Sequence, residues 1–170
     1  MRPVSAPSLH HVAYACRDIH ETVRFYEHLM GFPLVNTEVS TGPDGAYLRH
    51  VFFDTGDGSC IAFFDLHGVG EQEGWHSDLS SSVGVPVWVN HIAFRATAER
   101  QDEVRARMDA AGVKPLMELD HHWCVSLYYV DPNGIMVELC RDTTGMPIEP
   151  EEAHRLLDST EASRPPAIPC

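Results

Sequence analysis

The run Leu9-His10-His11-Val12-Ala13-Tyr14-Ala15 has the apolar content and length of a short strand, and after it the apolar spacing changes to helical, with Ile19, Val23, Tyr26 and Met30 on one face. Asp18 followed three residues later by Glu21 makes a capping box at the start of that helix, and Gly31 ends it. Three more strands are expected at 33–37, 47–54 and 60–65, the last two joined by the turn Thr55-Gly56-Asp57-Gly58. The same order then returns. A strand at 89–95 precedes a helix with Val104, Met108 and Ala111 on one face and Gly112 at its end, and strands follow at 116–119, 125–130 and 135–140. Asp131-Pro132-Asn133-Gly134 is the matching hairpin turn. The pattern is βαβββ, twice, in an α+β chain.

The repeat extends to individual residues. His10-His11-Val12-Ala13-Tyr14-Ala15 corresponds to Asn90-His91-Ile92-Ala93-Phe94-Arg95. Setting Gly58 on Gly134 puts Ala62 on Glu138, Phe52 on Tyr128 and His50 on Ser126. His11, His91 and Glu138 therefore fall at matched positions of the paired modules, and two imidazoles with one carboxylate are a metal-ligating set. The modules span 8–66 and 87–142, with a Gly-, Ser- and charge-rich connector at 67–86 that can also fold over a site mouth. The extension 143–170 offers a short helix near 150–157 and then a proline-containing tail with no predicted structure.

Composition narrows the partners. With 170 residues, 44% of them hydrophobic, the chain can fill one core shared by both modules. A formal net charge of -13 repels phosphate backbones and anionic lipid, so nucleic acid and membrane are excluded as expected partners. No apolar run approaches membrane-spanning length, and the start lacks the apolar core of a secretory signal, which predicts a cytoplasmic protein. Five cysteines without CxxC spacing are read as reduced, packed thiols.

Two βαβββ modules, each opening on a strand with histidine and the second closing on Tyr128-Tyr129-Val130-Asp131-Pro132-Asn133-Gly134-Ile135-Met136-Val137-Glu138, resemble the vicinal oxygen chelate superfamily. That group holds glyoxalase I, methylmalonyl-CoA epimerase, fosfomycin-inactivating enzymes, bleomycin-sequestering proteins and type I extradiol dioxygenases. The resemblance covers about residues 8–142 and implies a cupped half-barrel with a small-molecule site inside, within one chain or across a swapped homodimer. It also implies metal ligation by His11, His91 and Glu138, with Ala62 in the fourth ligand place. Glyoxalase-type and epimerase-type members generally fill four places, whereas extradiol dioxygenases use two histidines and one glutamate.

The empty fourth place favours Fe(II) and a dioxygenase acting on a catechol-like or other vicinally oxygenated small molecule. Zn, Ni or Mn in the same place would instead serve a Lewis-acid lyase or isomerase, and a metal-free antibiotic- or metabolite-binding protein is the third alternative. His121 followed by Leu127-Tyr128, Asp131-Pro132, Gly134 and Glu138 approaches the extradiol signature, which makes His121 and Tyr128 candidate catalytic residues. Gly58 and Ser59 stand where such enzymes carry an acid/base histidine. His50, on the inward face of the neighbouring strand, is the candidate replacement, as acid/base, substrate contact or fourth ligand.

Overall fold

The computed structural model describes residues 8–170. In the first module, β1 (His11–Cys16) leads into α1 (Ile19–Val23), and β2 (Leu34–Thr41), β3 (Tyr47–Asp54) and β4 (Cys60–His67) follow. Asp18 caps α1 as expected, its side chain accepting from the amides of His20 and Glu21. The helix does not stay α-helical. From Arg24 to Met30 it widens into a π-helical segment that ends on Gly31 at φ 73°.

The second module repeats the order with β5 (His91–Arg95), α3 (Ala98–Ala110), β6 (Met117–Asp120), β7 (Cys124–Val130) and β8 (Met136–Asp142). Between the modules lies the short α2 (Leu79–Ser82), and after them come α4 (Pro150–Leu156) and β9 (Ile168–Pro169). The tail is thus not wholly irregular. Its last strand pairs antiparallel with β6, Leu119 opposite Pro169 and Asp120 opposite Ile168, which no periodicity in the sequence signals.

Two open sheets result, with strand orders β1-β4-β3-β2 and β5-β8-β7-β6-β9. Their registers match residue for residue. Ala13 pairs with Ala62 and Phe52 with Ala62 in the first sheet, while Ala93 pairs with Glu138 and Tyr128 with Glu138 in the second. The repeat alignment that puts Ala62 on Glu138 is therefore the structural equivalence as well.

Alternate residues of the central strands β3, β4, β7 and β8 enter one core. Val51, Phe53, Ile61 and Phe63 from the first sheet and Leu127, Tyr129, Val137 and Leu139 from the second belong to a single buried cluster, with Tyr26, Met30, Val104 and Met108 from the helices. Phe32 and Phe94 meet edge-on across the modules at 4.8 Å between ring centroids. The strand faces carrying His50, Phe52 and Ala62, and Ser126, Tyr128 and Glu138, consequently look away from that core.

Polar bonds lock the modules together. Arg100 donates to the carbonyls of Met30 and Gly31, and Arg107 to those of Leu29 and Met30, so two guanidinium groups of α3 satisfy the C-terminal carbonyls of the first helix. A Cβ at Gly31 would sit 3.0 Å from both guanidinium groups.

The turn at 131–134 makes the second junction. Tyr26 donates its hydroxyl to Asp131 at 3.0 Å, Asn133 donates to Thr22 Oγ1 at 3.1 Å, and the Arg17 amide donates to Asn133 Oδ1 at 3.0 Å. Burial raises the Asp131 carboxyl above its ordinary range, while the amides of Ile135 and Asn133 and the Tyr26 hydroxyl oppose that shift. At Gly134, where φ is +78°, an added Cβ would lie 2.7 Å from Asp78 Cβ, which fixes glycine there for both conformation and space.

Asn133→Ala removes one acceptor and two donors from this buried junction and leaves the Arg17 amide unpaired. The expected loss is about 2 kcal/mol or more of unfolding free energy, seen as a lower urea midpoint at unchanged m-value. A change within about 0.5 kcal/mol would mean that the turn does not join the modules energetically.

Candidate metal centre

His91 opens β5 and Glu138 sits mid-way along β8, its neighbour in the sheet. His91 Nδ1 lies 2.8 Å from the Trp88 carbonyl oxygen, which can only accept, so Nδ1 carries the ring proton. Nε2 then presents a lone pair to Glu138 Oε2 at 3.2 Å. Two acceptors facing each other at this distance are reconciled by a proton or by a metal cation between them, and a histidine whose second nitrogen is held by a carbonyl is the usual form of a metal-bound imidazole. The residues fit a divalent cation.

Glu138 is only 6% exposed and its other oxygen, Oε1, accepts from the Ser126 hydroxyl. Ser126 lies on β7 one alternation from Tyr128, so the strand period that aims Tyr128 at Glu138 also supplies this donor. The Tyr128 hydroxyl is 3.0 Å from His121 Nε2. Burial, followed by the charge of Glu138, pushes the Tyr128 phenol well above its ordinary pKa, and it remains a protonated donor.

His122 takes a left-handed conformation at φ 70°, and its ring turns to the carbonyl of Pro166, 3.2 Å away. Of the two adjacent histidines, His121 is the one in the site. It lines a cavity of about 1090 Å³ together with His91, Tyr128 and Glu138, walled by Trp88 and by Ile148 of the C-terminal extension.

His11 belongs to a different group of side chains. Its Nδ1 is 2.7 Å from Nδ1 of His10, and its ring neighbours are Phe52 at 5.6 Å and His50 at 6.2 Å. Among the described residues it does not join His91 and Glu138 in a cluster of metal donors within one chain. His10 is exposed, and its ring meets that of His11.

His50 stacks on Phe64 at 3.8 Å and 13°, and its Nε2 is buried with no hydrogen-bond partner among the described residues. Burial lowers its pKa first, the neighbouring His11 lowers it further, and Glu38 opposes. Ala62, in the place matching Glu138, is fully buried and offers no ligand atom. The structure thus brings His91, Glu138, His121 and Tyr128 together on the second sheet and His11 with His50 on the first.

Sequence reading missed two residues at the centre itself. Cys124 and Cys140 are free thiols as expected, and their sulfur atoms come within 4.8 Å of Glu138, a proximity that the sequence reading did not include. The signal was available: Cys124, Ser126 and Tyr128 alternate on one strand, as Glu138 and Cys140 do on the next.

Comparison with known proteins agrees with this architecture. The model of the Glyoxalase/Bleomycin resistance protein/Dioxygenase superfamily matches residues 8–139. A curated relative, "Glyoxylase I 4" of Arabidopsis thaliana, is 27% identical over 151 residues, covering 87% of this chain and 78% of that protein. A glyoxalase/dioxygenase from Nostoc punctiforme superposes with a TM-score of 0.59 at 20% identity, covering 84% of this chain and 96% of that one. A variant of the fosfomycin resistance protein FosX from Listeria monocytogenes, solved with Mn(II) and 1S,2S-dihydroxypropylphosphonic acid, gives 0.54 at 20% identity over 83% of this chain and 94% of its own. These structural likenesses extend the fold.

Ser126→Ala leaves Glu138 Oε1 without its donor while keeping both His91 and the carboxylate. Affinity for Mn(II) or Co(II), measured by calorimetry, is expected to fall about 10- to 100-fold with the fold intact by circular dichroism. Unchanged affinity would mean that the Ser126 hydroxyl does not position the Glu138 carboxylate for a metal.

Proposed function

The chain belongs to the Glyoxalase/Bleomycin resistance protein/Dioxygenase superfamily, and from that membership we propose that it is a divalent-metal enzyme of the vicinal oxygen chelate type, with Fe(II)-dependent oxygenation of a catechol-like small molecule as its reaction. The observation that carries the reading is the pairing of His91 Nε2 with Glu138 Oε2 at 3.2 Å, beside a His121–Tyr128 hydrogen bond and with a ligand-free alanine in the fourth place. His91, Glu138 and His11 would hold the ion. Because His11 stands apart from the other two within one chain, the third ligand in this reading is His11 of the partner subunit, and the enzyme is a homodimer with two shared sites.

Each protein group has work suited to its environment. When bound, Fe(II) supplies the one-electron chemistry that lets dioxygen react with an ionised catechol. Tyr128, kept protonated by burial and by Glu138, donates a hydrogen bond to a substrate oxygen. His121, within reach of that hydroxyl, accepts the substrate's hydroxyl proton or orients Tyr128. His50 of the partner subunit, beside His11 on the first sheet and with its pKa lowered by burial, would be the base in place of the histidine absent at Gly58-Ser59.

A Lewis-acid lyase of the glyoxalase kind is the second reading, favoured by the 27% identity to the Arabidopsis relative. Oxygen separates the two. Protein reconstituted with Fe(II) under anaerobic conditions is expected to consume dioxygen stoichiometrically with a catechol from a substituted panel, and Glu138→Ala to abolish uptake. Turnover of a hemithioacetal with Ni(II) or Zn(II), without oxygen uptake on any catechol, would replace the dioxygenase by the lyase.

Subunit mixing tests the shared site. His11→Ala and Glu138→Ala proteins are each expected to lose metal, whereas their co-expression restores about one quarter of the wild-type content, because half the dimers are mixed and each mixed dimer has one intact site. No recovery would mean that His11 and Glu138 act in the same chain. Tyr128→Phe is expected to lower kcat about 10- to 100-fold while leaving metal content unchanged.

A further inference from the structure

Neither reading of the reaction uses Cys124 or Cys140, yet both thiols lie beside the centre. The β7–β8 pairing sets Tyr128 opposite Glu138 and Ser126 opposite Cys140, with Cys124 one alternation further along the same face. Cys124 is 1% exposed, and its sulfur is 3.6 Å from the Ser126 hydroxyl that bonds Glu138. The two sulfur atoms and a carboxylate oxygen of Glu138 all lie within 4.8 Å of one another. Sulfur and oxygen ligands on one tetrahedral zinc, with metal–sulfur bonds of about 2.3 Å and metal–oxygen bonds of about 2.0 Å, sit about 3.5 to 3.8 Å apart, so small side-chain rotations close the set.

We propose that Cys124, Cys140 and Glu138 form a second cation site, complete within one chain, that takes thiophilic divalent ions such as Zn(II) or Cd(II). The cavity that opens onto Cys124, Cys140 and Glu138 provides the entry path. His91, already facing the same carboxylate, is available as a fourth donor. Two sulfur donors select against Mg(II) and Mn(II), the ions that a purely oxygen and nitrogen set accepts. Binding is an exchange of ligands without oxidation: each thiol gives its proton to solvent, two protons leave per ion, and two metal–sulfur bonds form. Because Glu138 belongs to both sites, a thiophilic ion held here takes the carboxylate that the cross-subunit centre requires and thereby inhibits it.

The test is titration of reduced, metal-free protein with Cd(II), followed by the ultraviolet thiolate-to-metal charge-transfer band. One Cd(II) per chain is expected to saturate the band, which survives in His11→Ala and disappears in the Cys124→Ser/Cys140→Ser double variant. Survival in His11→Ala separates this site from the shared one, whose failure would leave the band unchanged. Loss of the band in His11→Ala, or its persistence in the double variant, overturns the proposal, the latter by assigning the sulfur to Cys16, Cys60 or Cys170. A ¹¹³Cd resonance of the unaltered protein provides a measurement that needs no variant. A downfield shift typical of two sulfur ligands supports the site, and a shift typical of oxygen and nitrogen alone rejects it.

Discussion

The molecule depends on how the turn at 131–134 is buried against the first helix. That contact places an ionisable carboxyl, an amide side chain and a phenol where water is excluded, and such groups are tolerable only when each bond is made. Tyr26, Thr22 and Arg17 make them from one module, and Asp131 and Asn133 from the other. A wrongly seated helix would leave several of these groups unpaired at once, so the junction fixes a single relative position for the two sheets. Their inner faces then meet in one core, and the outer faces, with every candidate ligand, are turned away from it.

Two separate sheets explain why the candidate residues divide as they do. Phe53, Phe63, Tyr129 and Leu139 all enter the core, so the candidate residues at alternating positions of each sheet stand on the faces opposite to it. His91 and Glu138 are neighbours because β5 and β8 pair directly, whereas His11 is one sheet removed. Duplication of the module has also left the halves unequal. Alanine at 62 gives the first sheet a smooth patch where the second has its buried carboxylate, and the aromatic Phe64 and Phe52 surround His50 there instead.

Much of this was legible in the sequence, for identifiable reasons. Strand alternation and the repeated strand-histidine opening set the order of elements, and aligning two glycine turns was enough to match Ala62 with Glu138, because a hairpin turn fixes register. The choice of His121 over His122 was decided by geometry invisible to periodicity, a left-handed residue that swings one ring toward the tail. The widening of the first helix was hidden as well, since apolar spacing over so few residues does not distinguish α from π winding. The cysteines beside Glu138 were missed because each was weighed as an isolated thiol and not as a member of a strand face.

The tail strand alters the standing of β6. Sheet edges ordinarily expose amide and carbonyl groups that invite pairing with another chain, and proline is one residue that ends such pairing because it has no N–H to offer. Here Ile168–Pro169 lies along β6, and the Cys170 amide donates to the Glu118 carbonyl at 3.1 Å. In the language of hydrogen exchange, β6 is an interior strand whose protection is borrowed from residues more than forty positions away in sequence. Exchange at β6 would therefore report the docking of the tail as well as the strength of the sheet.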